Sequence, residues 1–524
     1  MRKITLISLV FLATSMFAQE KCDWEGGVPE GCTTITVGKK ASADGSVMTS
    51  HTDDSHRTRS WVDIVPAKDN PEGATTDVYK REQCNDFAMP TYKHTKIGEI
   101  PEKEHTYKYV NTAYPCMNEK QLAIGESTFG GKEELHSSAG KIDCQRLVKF
   151  MLQRCTTARE AIQLADELTK EYGWNDEGEC LTIADKKEVW HFEIVGPGKG
   201  KVGAVWVAQR VPDEHIAVNA NASTIKEINL KDKDNFMASA NIYKVAEELG
   251  FWDKTKGEFQ FCYAYADRHS FAARRREWRV FDLLAPSLKL DPNAENYPFS
   301  VKPDKPVSVA DMIMVFQDYY EGTDFDMTKN LTVTNDSGKT VISPLANPFM
   351  PYDANKLFKI NGGWGWLGER TIARWYTMYG TIIQCRDWLP DELGGVVWLA
   401  QDNIATSVYV PVYCGVKDLP KSYKTPGRTN GFTRESAWWA FNRMGTLAAH
   451  RWGEIRYDVR NVFDPMQQKY FDNQANFEKE ILSEKDIEKR KEKLTEYTNK
   501  CGEEAVKAAW GLGDFIWTKY DEKF

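Results

Sequence analysis

The chain has 524 residues and carries 68 basic against 76 acidic side chains, which gives a formal net charge of −8 at pH 7. An acidic chain without a basic stripe argues against nucleic acid as a partner. Its 17 tryptophans and 22 tyrosines indicate a globular protein, because disordered chains are poor in aromatic residues.

The first twenty residues, MRKITLISLVFLATSMFAQE, have the pattern of a secretory signal. Arg2 and Lys3 form the positive start, an apolar run follows, and Ala18 is the expected cleavage residue. An uncleaved membrane anchor is the alternative, but the apolar run is short for a bilayer span. We therefore expect export, to a periplasm or out of the cell, and no membrane span once residues 1–18 are removed.

Strand patterns open the folded part of the chain. Residues alternate between polar and apolar from Thr33 to Val37, Asp44-Gly45 supplies a turn, and VMTSHT continues extended. This pattern predicts a β-hairpin. A further strand is expected within residues 118–128.

Helical periodicity then marks DCQRLVKFMLQRC and TAREAIQLADELTKEYG, the second with a capping box from Thr157 to Glu160. Strands return in CLTIADKKEVWHFEIVG, GAVWVAQRVP and HIAVNAN, and the first of these can form a hairpin that turns at 185–187. The middle, roughly 225–360, is rich in Asp, Lys, Asn and Pro and predicts loops and lid-like insertions. A second strand group, GTIIQCR, GGVVWLAQ and ATSVYVPVY, precedes a helical region from Arg434 onward. Strands, then helices, then strands predict a layered α+β fold.

Eleven cysteines are present, and in an exported protein some are expected to pair. Their spacing does not say which, but an odd number leaves at least one thiol free, and we assign that thiol to Cys32. The sequence contains no C-x-x-C or H-E-x-x-H motif, phosphate loop or dinucleotide fingerprint. We therefore expect no metal and no cofactor.

Cys32 follows closely behind the export signal. If residues 19–31 are a propeptide, Cys32 becomes the first residue and carries an α-amine with a pKa of about 7.7–8.0 beside a thiol with a pKa of about 8.5. The deprotonated amine can then accept the thiol proton, so one residue supplies both nucleophile and base. Gly31 would let the scissile peptide approach the thiol closely. The alternative is a cysteine that packs in the core or forms half of a disulfide.

Residues 31–55, GCTTITVGKKASADGSVMTSHTDDS, resemble the opening of the cysteine dipeptidases among the N-terminal-nucleophile (Ntn) hydrolases, the PepD-like family. Similar segments follow in order along most of the chain: MNEKQLAIGESTFGG, VPDEHIAVNANASTI, DNFMAS, EWRVFDLLAPS, YYEGTDFDMT, ERTIARW and GGVVWLAQDNIATSVYVPVYCG. The resemblance implies a four-layer αββα Ntn-hydrolase sandwich with insertions. It places the catalytic domain at 32–430 and a helical C-terminal extension at 431–524.

The resemblance also implies where the acidic partner of the nucleophile lies. The related bile-salt hydrolases and penicillin acylases have an Arg-x-x-Asp pair after the hairpin turn, and here the stretch reads HTDD. Asp54 is therefore expected beside the N-terminal amine, while His51 replaces the arginine. Arg57 or Arg59 could supply the missing charge, or could equally lie on the surface. A solvated turn carboxylate is the alternative for Asp54.

Two further residues follow from the same resemblance. Asn221 matches the asparagine that helps to form the oxyanion hole, with a second donor, a backbone N–H, near Ser127 and Thr128. Arg276, with Arg275 next, matches an arginine that reaches the active site. The alternatives are a strand-end turn for Asn221 and a solvated arginine cluster.

These assignments imply an exported, cofactor-free cysteine dipeptidase that cleaves unblocked dipeptides through a thioester. An amidase of the same fold that acts on N-acyl amides of bile-salt or penicillin type is the alternative enzyme, and a non-catalytic surface-binding relative is the alternative outside enzymes. The acidic middle of the chain could bind a free substrate α-amine. A homo-oligomer is compatible with the sequence, which fixes neither oligomeric state nor side-chain preference.

Overall fold

The structure is a computed structural model that describes residues 31–55, 57–84, 91–267, 270–348 and 370–524. The expected signal peptide and all of the expected propeptide except Gly31 lie outside the described residues. Within the described part, no helix is both long enough and apolar enough to cross a membrane.

Most of the strands lie between residues 31 and 219, and the last three begin at residue 377 or later. In chain order the strands are β1 (Gly31–Val37), β2 (Val47–Asp54), β3 (Asp63–Val65), β4 (Lys68–Asp69), β5 (Thr75–Cys84), β6 (Thr91–Pro101), β7 (His105–Thr106), β8 (Tyr109–Asn111), β9 (Met117–Asn118), β10 (Ala123–Gly130), β11 (Gly178–Ala184), β12 (Val189–Val195), β13 (Val205–Arg210), β14 (Ile216–Asn219), β15 (Phe236–Ala238), β16 (Ser300–Val301), β17 (Thr332–Thr334), β18 (Thr340–Ile342), β19 (Thr377–Cys385), β20 (Val396–Gln401) and β21 (Val410–Tyr413).

Helices separate the two strand groups and form the C-terminal region. In chain order they are α1 (Cys144–Arg154), α2 (Ala158–Tyr172), α3 (Ile242–Glu248), α4 (Phe261–Tyr265), α5 (Phe271–Leu284), α6 (Val309–Phe316), α7 (Asp391–Gly394), α8 (Lys421–Lys424), α9 (Ala437–His450), α10 (Trp452–Ser483) and α11 (Ile487–Lys519).

Two large sheets organise these strands. The first has the order β16-β14-β1-β2-β19-β20-β21 and the second the order β15-β13-β12-β11-β10-β9-β8-β3. Strands β1 and β2 pack against β10, and β2 also packs against β11, so the sheets face each other. Gly125 on β10 allows this approach, because a Cβ there would lie 2.2 Å from the carbonyl oxygen of Ser50 on β2.

Helices pack against both sheets. Helix α2 packs against β11 and β12 of the second sheet, while α9 packs against β20 and α10 and α11 pack against β21 of the first. The core of buried side chains runs through both groups, from Ile35 on β1 to Ile516 on α11. The fold is therefore mixed, with helices and antiparallel sheets.

The central position of β1 determines where the site forms. It lies between β14 and β2, with Thr34 opposite Asn219 and Cys32 opposite Asp53. On the outer side of β2, Thr377 at the start of β19 stands opposite Asp54. The hairpin of β1 and β2 thus meets β14 and β19, which are distant in sequence, beside Cys32.

Most local predictions are confirmed. The hairpin at the start forms around Gly45, whose φ is +83°, and the strand pair β11 and β12 turns where expected. The capping box of α2 is present, with both the Thr157 and the Glu160 hydrogen bonds. The strand expected within 118–128 divides into β9 and β10.

The middle of the chain, for which loops and lid-like insertions were expected, also contains the regular elements α3 to α6 and β15 to β18. Residues 271–284 form the helix α5, begun by the Ser270 side chain, which accepts a hydrogen bond from the backbone N–H of Ala273. Nine of its side chains are buried, arginines included. Most of this helix is therefore buried in the protein. The polar composition of the segment did not indicate this burial.

The expected disulfides are not found in the described part of the chain. No disulfide joins any two of its cysteines, which are all buried: Cys32, Cys84, Cys116, Cys144, Cys155, Cys180, Cys262, Cys385, Cys414 and Cys501. They pack as small apolar side chains.

Candidate active site

Cys32 lies at the start of β1 with its thiol buried. Its backbone N–H donates to Oδ1 of Asn221 at 3.1 Å, and its Sγ donates to Oε2 of Glu126 at 3.3 Å. Burial raises the pKa of the thiol well above its usual range, and the negative charges of Glu126 and Asp53 raise it further. With the Gly31–Cys32 peptide intact, the thiol is therefore neutral.

Gly31 has no room for a side chain. A Cβ at this residue would lie 2.5 Å from Oδ1 of Asn221 and 3.2 Å from Nη1 of Arg370. The close approach seen at Gly31 is to these two polar side chains, and the approach of the scissile peptide to the thiol stays a prediction.

Asn221 is held in the left-handed region, with a φ of +61°, which asparagine tolerates better than most residues. Its Oδ1 accepts from Cys32 N–H, from Arg276 Nη2 at 2.9 Å and from Arg370 Nη1 at 3.1 Å. Its Nδ2 donates to the carbonyl of Thr128 at 2.7 Å. One amide N–H is therefore engaged, and the second is the one that could face an oxyanion.

The expected second oxyanion donor lies near Ser127 and Thr128 on β10. Here Oγ of Ser127 accepts from the backbone N–H of Asn221 at 2.9 Å. Both residues thus fix the position of Asn221, and the assignment of a backbone donor stays a prediction.

Arg276 is the member of its cluster that reaches Cys32. Its Nη1 donates to the carbonyl of Cys32 at 2.6 Å and to Oγ1 of Thr33 at 3.0 Å. Burial lowers its pKa to about 9, with a further contribution from the positive charge of Arg370. The other arginines of the cluster bind elsewhere: Arg274 the carbonyl of Ala294, Arg275 that of Pro292, and Arg279 the carboxylate of Asp318.

Asp54 is fully buried and binds a residue that the sequence analysis did not single out. Its carboxylate pairs with Nη2 of Arg370 and accepts from Oγ1 of Thr377 at 2.6 Å. Arg370 also donates to Oδ1 of Asn221, and the same oxygen accepts from the backbone N–H of Cys32. Asp54 is therefore linked to the Cys32 backbone through Arg370 and Asn221. The segment ERTIARW contains this arginine, but nothing in that segment indicates its partner.

His51, which stands where the related amidases have arginine, is also buried. Its Nε2 lies 3.2 Å from Oε2 of Glu126, and its Nδ1 lies 3.2 Å from the hydroxyl of Tyr379. The rings of Tyr114 and Tyr379 meet it edge-on. Glu126 therefore lies between His51 and the thiol. Arg370 is the arginine that pairs with Asp54, while Arg57 and Arg59 line a neighbouring cavity, and a charge in place of the missing arginine stays a prediction.

Glu126 and Glu179 form a carboxyl pair beside the thiol. Burial raises the pKa of Glu126, but the imidazole of His51 and a hydrogen bond with Glu179 outweigh it and lower the value to about 2. Burial and repulsion from Glu126 raise the pKa of Glu179 well above its usual range. Glu126 is thus ionised and Glu179 protonated, as expected when two carboxyls share a buried site.

A cavity of about 330 Å³ opens onto Cys32. Its lining contains five carboxyl groups and one guanidinium, that of Arg81. The five acidic residues are Asp53, Asp54, Asp176, Glu177 and Glu179. They come from β2 and from the approach to β11, and not from the acidic middle of the chain as expected. Such a lining favours a positively charged ligand group.

Two groups of side chains within the described residues have donor atoms close enough for a metal ion. They are Cys32 with His51 and Glu126, and Glu126 with Cys144 and Glu179. A sulfur, an imidazole nitrogen and a carboxylate are zinc ligands. In the first group, however, the carboxylate already receives the thiol hydrogen bond and faces the imidazole.

Comparison with known proteins finds similarity along most of the chain. The sequence profile described as Peptidase family C69 matches residues 31–464. Probable dipeptidase B of Lactococcus lactis subsp. lactis is 25% identical over 494 residues, covering 91% of this chain and 93% of that protein. Probable dipeptidase B of Streptococcus pyogenes serotype M1 is 24% identical over 482 residues, with 88% and 84% covered. Dipeptidase A of Lactobacillus helveticus is 23% identical over 414 residues, with 76% and 78% covered.

Proposed function

The chain belongs to peptidase family C69, and from this membership we propose that it is an exported dipeptidase whose nucleophile is the thiol of Cys32. The names of its relatives indicate dipeptides as substrates. The observation that carries the proposal is a single hydrogen-bond network around the Cys32 backbone. It joins Asn221, Arg276 and, through Arg370, Asp54.

Maturation is the first step of the proposed chemistry. The thiol of Cys32 attacks the carbonyl carbon of Gly31, the C–N bond between them breaks, and the nitrogen takes a proton to become the α-amine. Water then hydrolyses the resulting thioester and releases the propeptide with a free carboxylate at Gly31. The backbone nitrogen already lies 3.1 Å from Oδ1 of Asn221, an acceptor suited to the new ammonium.

The new ammonium would also activate the thiol. Burial and nearby carboxylates raise the thiol pKa in the uncleaved chain. A positive charge on the same residue opposes that shift, because an opposite charge nearby favours the ionised form. Propeptide release therefore makes the thiol easier to ionise, and so more nucleophilic, than it is in the uncleaved chain.

In turnover, the amine of Cys32 takes the thiol proton and the sulfur attacks the substrate peptide carbon. The second Nδ2 hydrogen of Asn221 and a backbone N–H stabilise the oxyanion. The ammonium then protonates the leaving nitrogen, the first product departs, and water hydrolyses the thioester with the amine again as base. Each proton that leaves the thiol or the water is thus returned to a product or to the amine.

The acid-rich cavity supports a substrate with a free α-amine. An ammonium group placed among Asp53, Asp176 and Glu177 would offset like charges that otherwise repel one another. An N-acyl amide has no charge to offer there. This favours dipeptides over the bile-salt and penicillin type of substrate.

The rest of the proposal concerns the whole chain. It includes an αββα layering of the two facing sheets, a catalytic domain over 32–430, a helical extension over 431–524, and removal of residues 1–18 on export. The packing of α2 on one sheet and of α9 to α11 on the other supports the layering.

A substrate comparison tests the activity. The mature protein is assayed with alanyl-phenylalanine, its N-acetyl form, a pentapeptide and a glycine-conjugated bile acid under one set of conditions. We expect the free dipeptide to be cleaved at least 100-fold faster than the others, because a blocked amine brings no positive charge to the carboxylates that line the cavity. The Cys32→Ala variant should be inactive, while Cys144→Ala, which removes another buried thiol, should keep activity. Preference for the N-acyl substrates would contradict the proposal.

A further inference from the structure

A second cavity, of about 430 Å³, lies beside the acid-rich one and has the opposite charge. Thr58 and Tyr92 line both cavities, so the two are neighbours. The lining of the second cavity contains one carboxylate, that of Asp77, and four basic side chains. The basic residues are Arg57, Arg59, Arg146 and Lys149.

The single carboxylate of this cavity is already paired. Asp77 lies 2.6 Å from Nζ of Lys96, a residue outside the cavity lining. Arg59 pairs with Asp63 and Arg146 with Asp143, both also outside the lining. Lys149 on α1 makes no ion pair with any described residue. The cavity therefore has positive charge left for an anionic ligand.

His94 lies among the basic side chains of this cavity. His94 lines the cavity, and its Nδ1 lies 2.6 Å from Nη2 of Arg146. Burial lowers its pKa to about 4, and the charges of Arg146, Arg81 and Arg59 contribute in the same direction. The imidazole is therefore neutral at physiological pH, mainly because it is buried, and it adds no charge to the cavity.

The walls of the cavity are aromatic. Trp61, Tyr79, Tyr92 and Tyr109 line it together with the basic groups. Rings supply apolar surface for a side chain, and a cation supplies a partner for a carboxylate. The combination suits an amino acid with a free carboxylate and a large apolar side chain.

We propose that this basic, aromatic cavity binds the C-terminal residue of the substrate, with Lys149 as the partner of its α-carboxylate. The inference rests on the proposed dipeptidase function. An extended dipeptide spans about 7 Å, so its ammonium can lie in the acidic cavity while its carboxylate enters the basic one. Two oppositely charged neighbouring cavities thus select zwitterions that are two residues long.

The test compares alanyl-phenylalanine with its C-terminal amide, in the wild type and in three variants. Lys149→Gln removes the proposed partner, Lys149→Arg keeps the charge, and Lys141→Gln is the matched control, because Lys141 is exposed and lies just before the same helix. Circular dichroism and thermal unfolding check that each variant is folded.

We expect the wild type to cleave the acid at least tenfold faster than the amide in kcat/KM. Lys149→Gln should lower kcat/KM for the acid about tenfold, mainly by raising KM, because one charged hydrogen bond is lost. The same variant should change kcat/KM for the amide less than twofold. Lys149→Arg should restore most of the preference, and Lys141→Gln should behave as wild type.

Equal cleavage of acid and amide by the wild type would overturn the inference and leave the dipeptidase proposal standing. An equal loss on both substrates in Lys149→Gln, or no loss on either, would overturn it as well. If the wild type cleaves neither substrate, the proposed function itself is wrong and the inference falls with it.

Discussion

Replacing Gly31 with alanine should slow propeptide removal. The added Cβ would lie 2.5 Å from Oδ1 of Asn221, 3.1 Å from its Cγ and 3.2 Å from Arg370. To relieve the overlap Asn221 must move, and the hydrogen bonds that hold the Cys32 nitrogen and Arg276 move with it.

The size of this effect follows from packing. Forcing a methyl group into a packed site costs about 1–3 kcal/mol, and about 1.4 kcal/mol corresponds to tenfold in rate, so processing should slow about 5- to 150-fold. Residue 31 leaves with the propeptide, so any mature enzyme made by Gly31→Ala has the same sequence as the wild type. Its kcat and KM should therefore be unchanged.

Intact-mass analysis of a time course after synthesis measures the fraction still carrying the propeptide. Gly511→Ala is the matched control, because a Cβ at that position meets no atom within 4 Å. Processing of Gly31→Ala at the wild-type rate or faster would refute the reasoning, since the glycine would then not be required by the fit around Asn221.

Three further predictions follow from the same site. Glu126→Gln removes a negative charge that raises the pKa of the Cys32 thiol. The pH at which iodoacetamide alkylates Cys32 at half its maximal rate, measured by mass spectrometry, should therefore be lower in this variant. The control variant Glu133→Gln, which changes an exposed residue, should leave that pH unchanged. Arg370→Ala leaves the buried carboxylate of Asp54 unpaired and should lower the free energy of unfolding by about 3–5 kcal/mol, while adding Asp54→Ala should recover part of that loss in denaturant unfolding. In the mature enzyme kcat/KM should fall below a pKa of roughly 7–8, raised by the nearby carboxylates, as the amine protonates, and EDTA should leave the rate unchanged; a pH-independent rate or a loss with EDTA would count against an amine base.

Local elements of this fold could be predicted from the sequence because each depends on neighbouring residues. The Asp44-Gly45 turn sets the first hairpin, and the Thr157 and Glu160 side chains begin α2. Helix α5 was missed because its polar, arginine-rich sequence resembles a solvated segment. Burial of those arginines depends on acceptors elsewhere in the chain, such as the carbonyl of Cys32.

The partners of the site could be predicted only in part. Resemblance to a family indicated Asp54, Asn221 and Arg276, and the structure brings them together, although their catalytic roles stay predictions. Glu126 and Arg370 were not found, even though both lie in segments that carried the resemblance. Nothing local shows that Glu126 faces the thiol, since this depends on how closely β10 packs against β1 and β2.

The mature N-terminal residue is the most direct test of the central claim. Exported protein should be purified from the cell envelope or medium and analysed by N-terminal sequencing and intact mass, beside Cys32→Ala and Cys144→Ala. The account predicts that active protein begins at Cys32, that Cys32→Ala keeps residues 19–31 and is inactive, and that Cys144→Ala matures normally. Fully active protein that begins near Gln19 would contradict it, because the thiol would then have no α-amine.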